Sequence, residues 1–240
     1  MLDRTDSSLS FVLTGPASDG LRQLGVAINK HPSVACHCDL GHPDPKKSVV
    51  AHQAYFGSGS DDPPAFRRGS CVSFESYLDV YVYAMRRRNE QSIGVVLPYS
   101  QLDDYGLWDY LRRKTRMGNF CVIHLTRQVL SQSMEDIGHA IALISTRDAA
   151  RSVWLRCKQL DAYQARIRDL CEDRLEIDFE ELVLIPNRVQ RAAWKFLEVP
   201  DRQPFRMQIA RGQFNTSDYL RIQSTCHGAD RGFFEAMEVA

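Results

Sequence analysis

The chain has 240 residues, 44% of them hydrophobic, with 30 Lys+Arg set against 30 Asp+Glu. That length carries one large domain or two small ones with a true core, and the balanced charge argues against a sequence-independent nucleic-acid binder, which needs surplus cations for the phosphates. No apolar run approaches the ~20 residues that span a bilayer, and the opening MLDRTDSSLSFVL does not have the basic start and long apolar middle of a signal peptide. Cysteines at 36, 38, 71, 121, 157, 171 and 226 are odd in number and irregular in spacing. Reduced thiols and a cytoplasmic location are therefore the expectation.

In chain order, the apolar run Ser10–Leu13 predicts a buried strand, followed by a turn at Thr14–Gly20. Leu21–Ile28 puts Leu21, Leu24, Gly25 and Ile28 on one helical face, and Asn29, His31 and Pro32 end that helix. Ser33–Cys36 reads as a second strand, completing a unit of βαβ size. His42–Ser70 holds prolines 43, 45, 63 and 64 and the run GSGSDD, which predicts a long loop or lid over 42–70. A helix is expected over Ser73–Arg88, with Tyr77, Tyr81 and Ala84 on one face. Then come a strand at Ile93–Leu97, a helix at Leu102–Thr115 burying Leu107, Tyr110 and Leu111, and the strongest strand, Phe120–Leu125. Helices follow at about Leu130–Ile144 and Asp148–Leu170. A strand at Leu175–Phe179 leads through an acidic turn to a helix at Arg188–Leu197 that packs Val189, Ala193, Phe196 and Leu197. A C-terminal extension, 200–240, holds one modest helix at Ser217–Gln223. Strands alternating with helices imply an α/β fold, a parallel sheet with helices on both faces. The whole chain is read as a single domain, and ligands are expected at the carboxyl ends of the strands.

Three segments at such ends carry possible chemistry. TGPASDGLR joins the first strand to the first helix, where backbone N–H groups and the helix dipole favour an anion. Ser18 adds a hydroxyl there and Arg22 a cation, while Asp19 either caps the helix or opposes a phosphate; an ordinary capped turn stands as the alternative. CVIHLTRQVLSQSMED puts Arg127 at the end of a central strand with Ser131 and Ser133 about a helical turn on, a pattern suited to a phosphate, unless Arg127 pairs with a carboxylate such as Glu135. CHCDLGH, Cys36–His42, invites a zinc reading, but Cys36 and Cys38 lie two apart and no second pair has structural-site spacing, so no metal is expected. Asp39 or His42 is placed to take a proton from a hydroxyl, with a solvated loop as the alternative.

The order of these segments resembles the sulfotransferase superfamily, more closely its bacterial lipopolysaccharide and nodulation-factor type. FVLTGPASDGLRQLGVAINKHPSVAC is similar to that family's first strand, phosphosulfate loop, helix and second strand. CDLGH is similar to its acidic "GELxH" segment, GNFCVIHLTRQVLSQS to the strand and Arg/Ser element that hold a 3′-phosphate, and LEIDFEELVLIPNRVQRAAWKFLEVP to its "YEDL" strand and "FLGVP" helix. Where the family's loop reads R-S-G-T-T, this chain has Ser18–Arg22, S-D-G-L-R. The resemblance implies a P-loop-like α/β fold and the donor 3′-phosphoadenosine-5′-phosphosulfate (PAPS). It implies sulfuryl transfer to a hydroxyl of a small-molecule or carbohydrate acceptor. Gly15, Ser18, Gly20, Leu21 and Arg22 would cradle the 5′-phosphosulfate, Arg127 with Ser131 or Ser133 would hold the 3′-phosphate, and Asp39, with His42 beside it, would act as base. Two further functions stay open: an inactive protein of the same fold used in binding or assembly, and another P-loop-like nucleotide- or phosphate-binding protein.

Overall fold

A strand buried on both faces reads as a continuous apolar run, and three such runs make the heart of the molecule. In the computed structural model, which describes residues 9–38, 78, 81–82, 91–104, 106–118, 120–127 and 146–207, they are β1 (Phe11–Gly15), β2 (Val34–His37) and β3 (Ser92–Pro98), buried throughout except at Pro98. β4 (Cys121–Thr126) is half-buried at its two ends, and β5 (Arg174–Asp178) is an edge strand with only Ile177 fully inside. All pairings are parallel and the order is β2-β3-β1-β4-β5. The first strand made is therefore the central one, and the chain turns from one side of it to the other between β3 and β4. A reversal of this kind leaves a crevice at the carboxyl ends of the strands.

Register divides the side chains between two faces. Phe11, Leu13, Cys36, Val96, Ile123 and Ile177 share one face and pack against α1 (Asp19–Asn29) and against α5 (Phe179–Leu184) and α6 (Pro186–Phe196). Leu21, Leu24 and Ile28, spaced to share a helical face, are buried there as their spacing predicts. Gly25 lets α1 lie close on the sheet, because a Cβ at that position would collide with the Val96 side chain. On the opposite face Tyr81, one of the helical residues Leu78, Tyr81 and Val82, packs edge-on against His37 and donates to the Gly94 carbonyl at 3.2 Å. Tyr99, which opens α2 (Tyr99–Asp104), packs on that face against His124.

Side chains tie the elements across long stretches of sequence. The Asn29 Oδ1 accepts from the Cys36 amide at 2.8 Å, fixing the end of α1 to β2. His31 is buried; its Nδ1 accepts from the Ser33 amide at 3.1 Å, so its Nε2 carries the proton and donates to the Pro200 carbonyl at 2.9 Å. The NKHP segment that ends the first helix is thus a clasp for the chain leaving α6.

The structure changes two of the expected elements. The helix expected over Leu102–Thr115 is two, α2 and α3 (Trp108–Arg116), parted at Gly106 with φ +62, although Leu107, Tyr110 and Leu111 are all buried as expected. The acidic turn after β5 is helix α5, because the Asp178 carboxylate caps it, accepting from the Glu180 amide at 2.8 Å and the Glu181 amide at 3.3 Å. Phe196 is only partly buried and Trp194 takes the core position of α6 instead. The expected lid 42–70, the helices at 130–144 and 217–223, and most of the helix at 73–88 lie outside the described residues.

The chain divides into two compact units, Met1–Thr126 with Ile167–Ile209, and Arg127–Arg166 with Ala210–Ala240. The sheet belongs to the first. Within the second, Leu160 and Tyr163 of α4 (Thr146–Leu170) are buried, and the Gln164 Nε2 donates to the Arg127 carbonyl at 3.4 Å.

Candidate functional site

The carboxyl end of β1 is held between two neighbours that leave no room for a side chain. Gly15 aligns with Pro98 of β3, and a Cβ on it would come within 2.6 Å of the Leu125 carbonyl oxygen of β4. Three residues later the chain enters α1. Ser18 is its N-cap, with extended φ −153 and ψ 157, and its hydroxyl accepts from the Leu21 amide at 3.2 Å. Gly20, in the first turn, faces the Phe179 ring so closely that a Cβ would overlap it. The sequence therefore builds the turn from two glycines required by packing and one hydroxyl residue required by the helix end.

An α-helix leaves its first amides without intrahelical acceptors. Here the Ser18 hydroxyl takes that of Leu21, and those of Asp19 and Gly20 stay outside the helix ladder, at the positive end of an eleven-residue dipole. Such an arrangement has the donors and the dipole that suit an anion. The N-cap is Ser18, and Asp19 stands one position inside the helix. The Leu21 side chain is buried in the core, so this residue meets the turn only through its backbone; Arg22 is exposed.

Gly15, Ser18, Gly20, Leu21 and Arg22 thus come together in one turn. Arg127 is the residue immediately after β4, the neighbour of β1, and is half-buried. Asp39, His42, Ser131 and Ser133 lie outside the described residues. Among the described residues no group of three or more His, Cys, Asp or Glu is placed to hold a metal, and no helix is long and apolar enough to cross a membrane.

One polar pair was not anticipated from the sequence. His124 lies on the face of β4 opposite α1, level with Thr14 of β1 and Glu176 of β5. It is fully buried, its Nε2 is hydrogen-bonded to the Tyr99 hydroxyl, and among the described residues its Nδ1 has no partner. Burial drives its pKa down to about 4; Glu176 pulls the other way, and Arg168 and Arg174 add to the depression. Burial likewise pushes the Tyr99 hydroxyl well up, so both are neutral around pH 7. Desolvation alone would raise Glu176, but hydrogen bonds from Arg174 at 3.0 Å and Arg168 at 3.1 Å outweigh it and lower the carboxyl. The available signal was a histidine inside FCVIHL at the strand parity opposite Ile123, with a tyrosine directly after the preceding strand. The pair fixes the turn from β3 into α2 against β4, beside the glycine turn's own strand.

No protein-family profile matches the chain, and no curated protein does. Among solved structures it is similar to a sulfotransferase from Alicyclobacillus acidocaldarius, at 15% identity and TM-score 0.52, over 91% of this chain and 96% of that one. It is also similar to the sulfotransferase domain from the curacin biosynthetic pathway, at 15% identity and TM-score 0.46, over 84% of this chain and 79% of that one. The sulfotransferase domain from the Synechococcus PCC 7002 olefin synthase aligns at 16% identity and TM-score 0.43, over 81% of this chain and 74% of that one. The first of these establishes the fold: an α/β architecture of sulfotransferase type, with a five-stranded, all-parallel sheet flanked by helices.

Proposed function

We propose that the chain transfers a sulfuryl group from PAPS to a hydroxyl of a small-molecule or carbohydrate acceptor. The observation that carries this reading is the glycine turn at the carboxyl end of the central strand, opening on the Ser18-capped start of α1. In this reading the Asp19 and Gly20 amides and Arg22 bind the 5′-phosphosulfate. Arg127, with Ser131 or Ser133, binds the 3′-phosphate. Asp39, with His42 three residues on in the sequence, removes the proton of the acceptor hydroxyl as the new S–O bond forms and the bond to the phosphate oxygen breaks. A general base of this kind contributes about 10²–10⁴-fold.

The loop offers fewer charged contacts than R-S-G-T-T would. Each charge-assisted hydrogen bond is worth roughly 1.5–3 kcal/mol, so donor affinity depends on Arg22 and Arg127. Calorimetry with adenosine 3′,5′-bisphosphate is the test. The expected dissociation constant is below about 1 mM, near −4 kcal/mol, and Arg127→Ala should remove most of the binding. Asp39→Asn should leave that binding nearly intact and lower turnover at least about tenfold. A specific feature favours a second reading, an inactive protein of this fold: the Ser18 hydroxyl and the Leu21 amide are engaged with each other. The absence of heat at millimolar bisphosphate would decide for it.

A further inference from the structure

We propose that Cys36 and Cys38 form a peroxide-sensitive dithiol that closes to a disulfide at the carboxyl end of β2. Neither belongs to the glycine turn between β1 and α1, and the inference does not depend on the sulfuryl-transfer reading.

Side chains two apart along a strand point to the same face. Cys36 is buried on the α1 face and Cys38 follows it half-buried; both are free thiols. The Cys38 thiol turns back along the chain and donates to the Cys36 carbonyl at 3.5 Å. Its sulfur lies against α1, only 2.9 Å from where a Cβ on Gly25 would stand, so a larger residue there would displace it.

The two cysteines differ in how firmly they are held. Cys36 pairs with Gly94 in the sheet, and its amide is bonded to the Asn29 side chain at 2.8 Å. Cys38 lies beyond the last register pair of β2, His37 with Val95. Two residues of extended strand span about 6.4–6.8 Å, the upper end of the roughly 4.4–6.8 Å between Cα atoms that a disulfide allows. Closure therefore requires a small inward movement of the residue outside the ladder, and a bridge formed at that limit is readily reduced again.

Exposure sets the order of events. The Cys38 thiol beside it, together with burial, keeps the Cys36 thiol well above its ordinary pKa, so Cys38 reacts first. Cys38 gives its proton to solvent and its sulfur attacks one oxygen of hydrogen peroxide; the O–O bond breaks, leaving a sulfenic acid and a hydroxide that takes a proton from solvent as the first water. The Cys36 sulfur then attacks the Cys38 sulfur; the S–OH bond breaks, and the departing hydroxide takes the Cys36 proton as water. The sum is two thiols oxidised to one disulfide and one peroxide reduced to two waters.

The tryptic peptide His31–Lys46 contains both cysteines and no other. The folded full-length chain is exposed to sub-millimolar hydrogen peroxide, blocked with N-ethylmaleimide, digested and sequenced by mass spectrometry. The expected result is an unalkylated His31–Lys46 lighter by two hydrogens, with both thiols restored by dithiothreitol. In Cys36→Ser, dimedone should trap a sulfenic acid on Cys38; in Cys38→Ser, Cys36 should stay reduced. The proposal fails if both thiols remain alkylated after peroxide, if Cys38 runs on to sulfinic or sulfonic acid in the unmutated chain, or if either thiol bridges to Cys121 or Cys171.

Discussion

Acid titration of stability tests the buried Tyr99–His124 pair. In the folded chain His124 titrates at about 4, against 6.5 for an unperturbed imidazole, chiefly because burial opposes its charged form. Between those two values the unfolded chain binds a proton that the native chain does not, so stability falls as the pH drops from about 6.5 to about 4 and levels off below. Above that window both forms are neutral and the contribution is flat. At about 1.36 kcal/mol per pH unit, the gap amounts to roughly 3 kcal/mol, a large fraction of the 5–15 kcal/mol typical of a folded domain. Urea unfolding of the native chain and of His124→Gln, followed by circular dichroism across this range, isolates the effect. The carboxylates common to both proteins largely cancel in the difference. The native chain should lose about 3 kcal/mol more than the variant between neutral pH and pH 4. A difference that stays constant within about 0.5 kcal/mol would refute the assignment of His124 as a buried, neutral imidazole.

Tyr99→Phe removes the partner of the His124 Nε2 and should destabilise the chain by about 1–3 kcal/mol in the same assay at neutral pH, since a buried polar atom is left unsatisfied. Gly20→Ala places a methyl against the Phe179 ring and should cost about 1–3 kcal/mol; it should also weaken bisphosphate binding, read by calorimetry. Ser18→Ala removes the cap of α1 and should lower stability by about 0.5–2 kcal/mol, seen as a lower urea midpoint. His31→Ala loses the bonds to Ser33 and Pro200 and should cost about 2–3 kcal/mol; thermal melting that matches the native chain would show the clasp to be unimportant.

The sheet was legible because parallel strands announce themselves as apolar runs of the right length between helical periods: FVL, IGVVL and FCVIHL needed no partner to be recognised. Strand order is not written in such runs. It depends on which faces fit, and here Gly94 admits the Phe11 ring, a contact between residues far apart in sequence. The glycine turn was legible as well, because Gly15 and Gly20 stand where close approach demands them. The division of labour within it was not. That Ser18 rather than Asp19 caps the helix depends on backbone angles at one residue. The split at Gly106 was missed because the apolar spacing of Leu102, Leu107, Tyr110 and Leu111 runs through the break. His124 escaped notice because burial of a lone imidazole depends on what the next strand and Tyr99 present to it.

The strand order has a consequence for biosynthesis. β1 and β2 leave the ribosome first, but they are not neighbours: β1 pairs with β3 and β4, and β2 pairs with β3. Until β3 has been made, neither β1 nor β2 has, among the described residues, the strand it pairs with. The roughly 55 residues between His37 and Ser92 take about 3–11 s to synthesise at 5–20 residues per second. During that interval the edges of β1 and β2 are open to pairing with other chains, and α1 has only an incomplete sheet to cover. The His31 clasp closes later still, when Pro200 arrives. A sheet in this order closes only once strands far apart in sequence have all been made, and non-local parallel pairing of this kind is intrinsically slow.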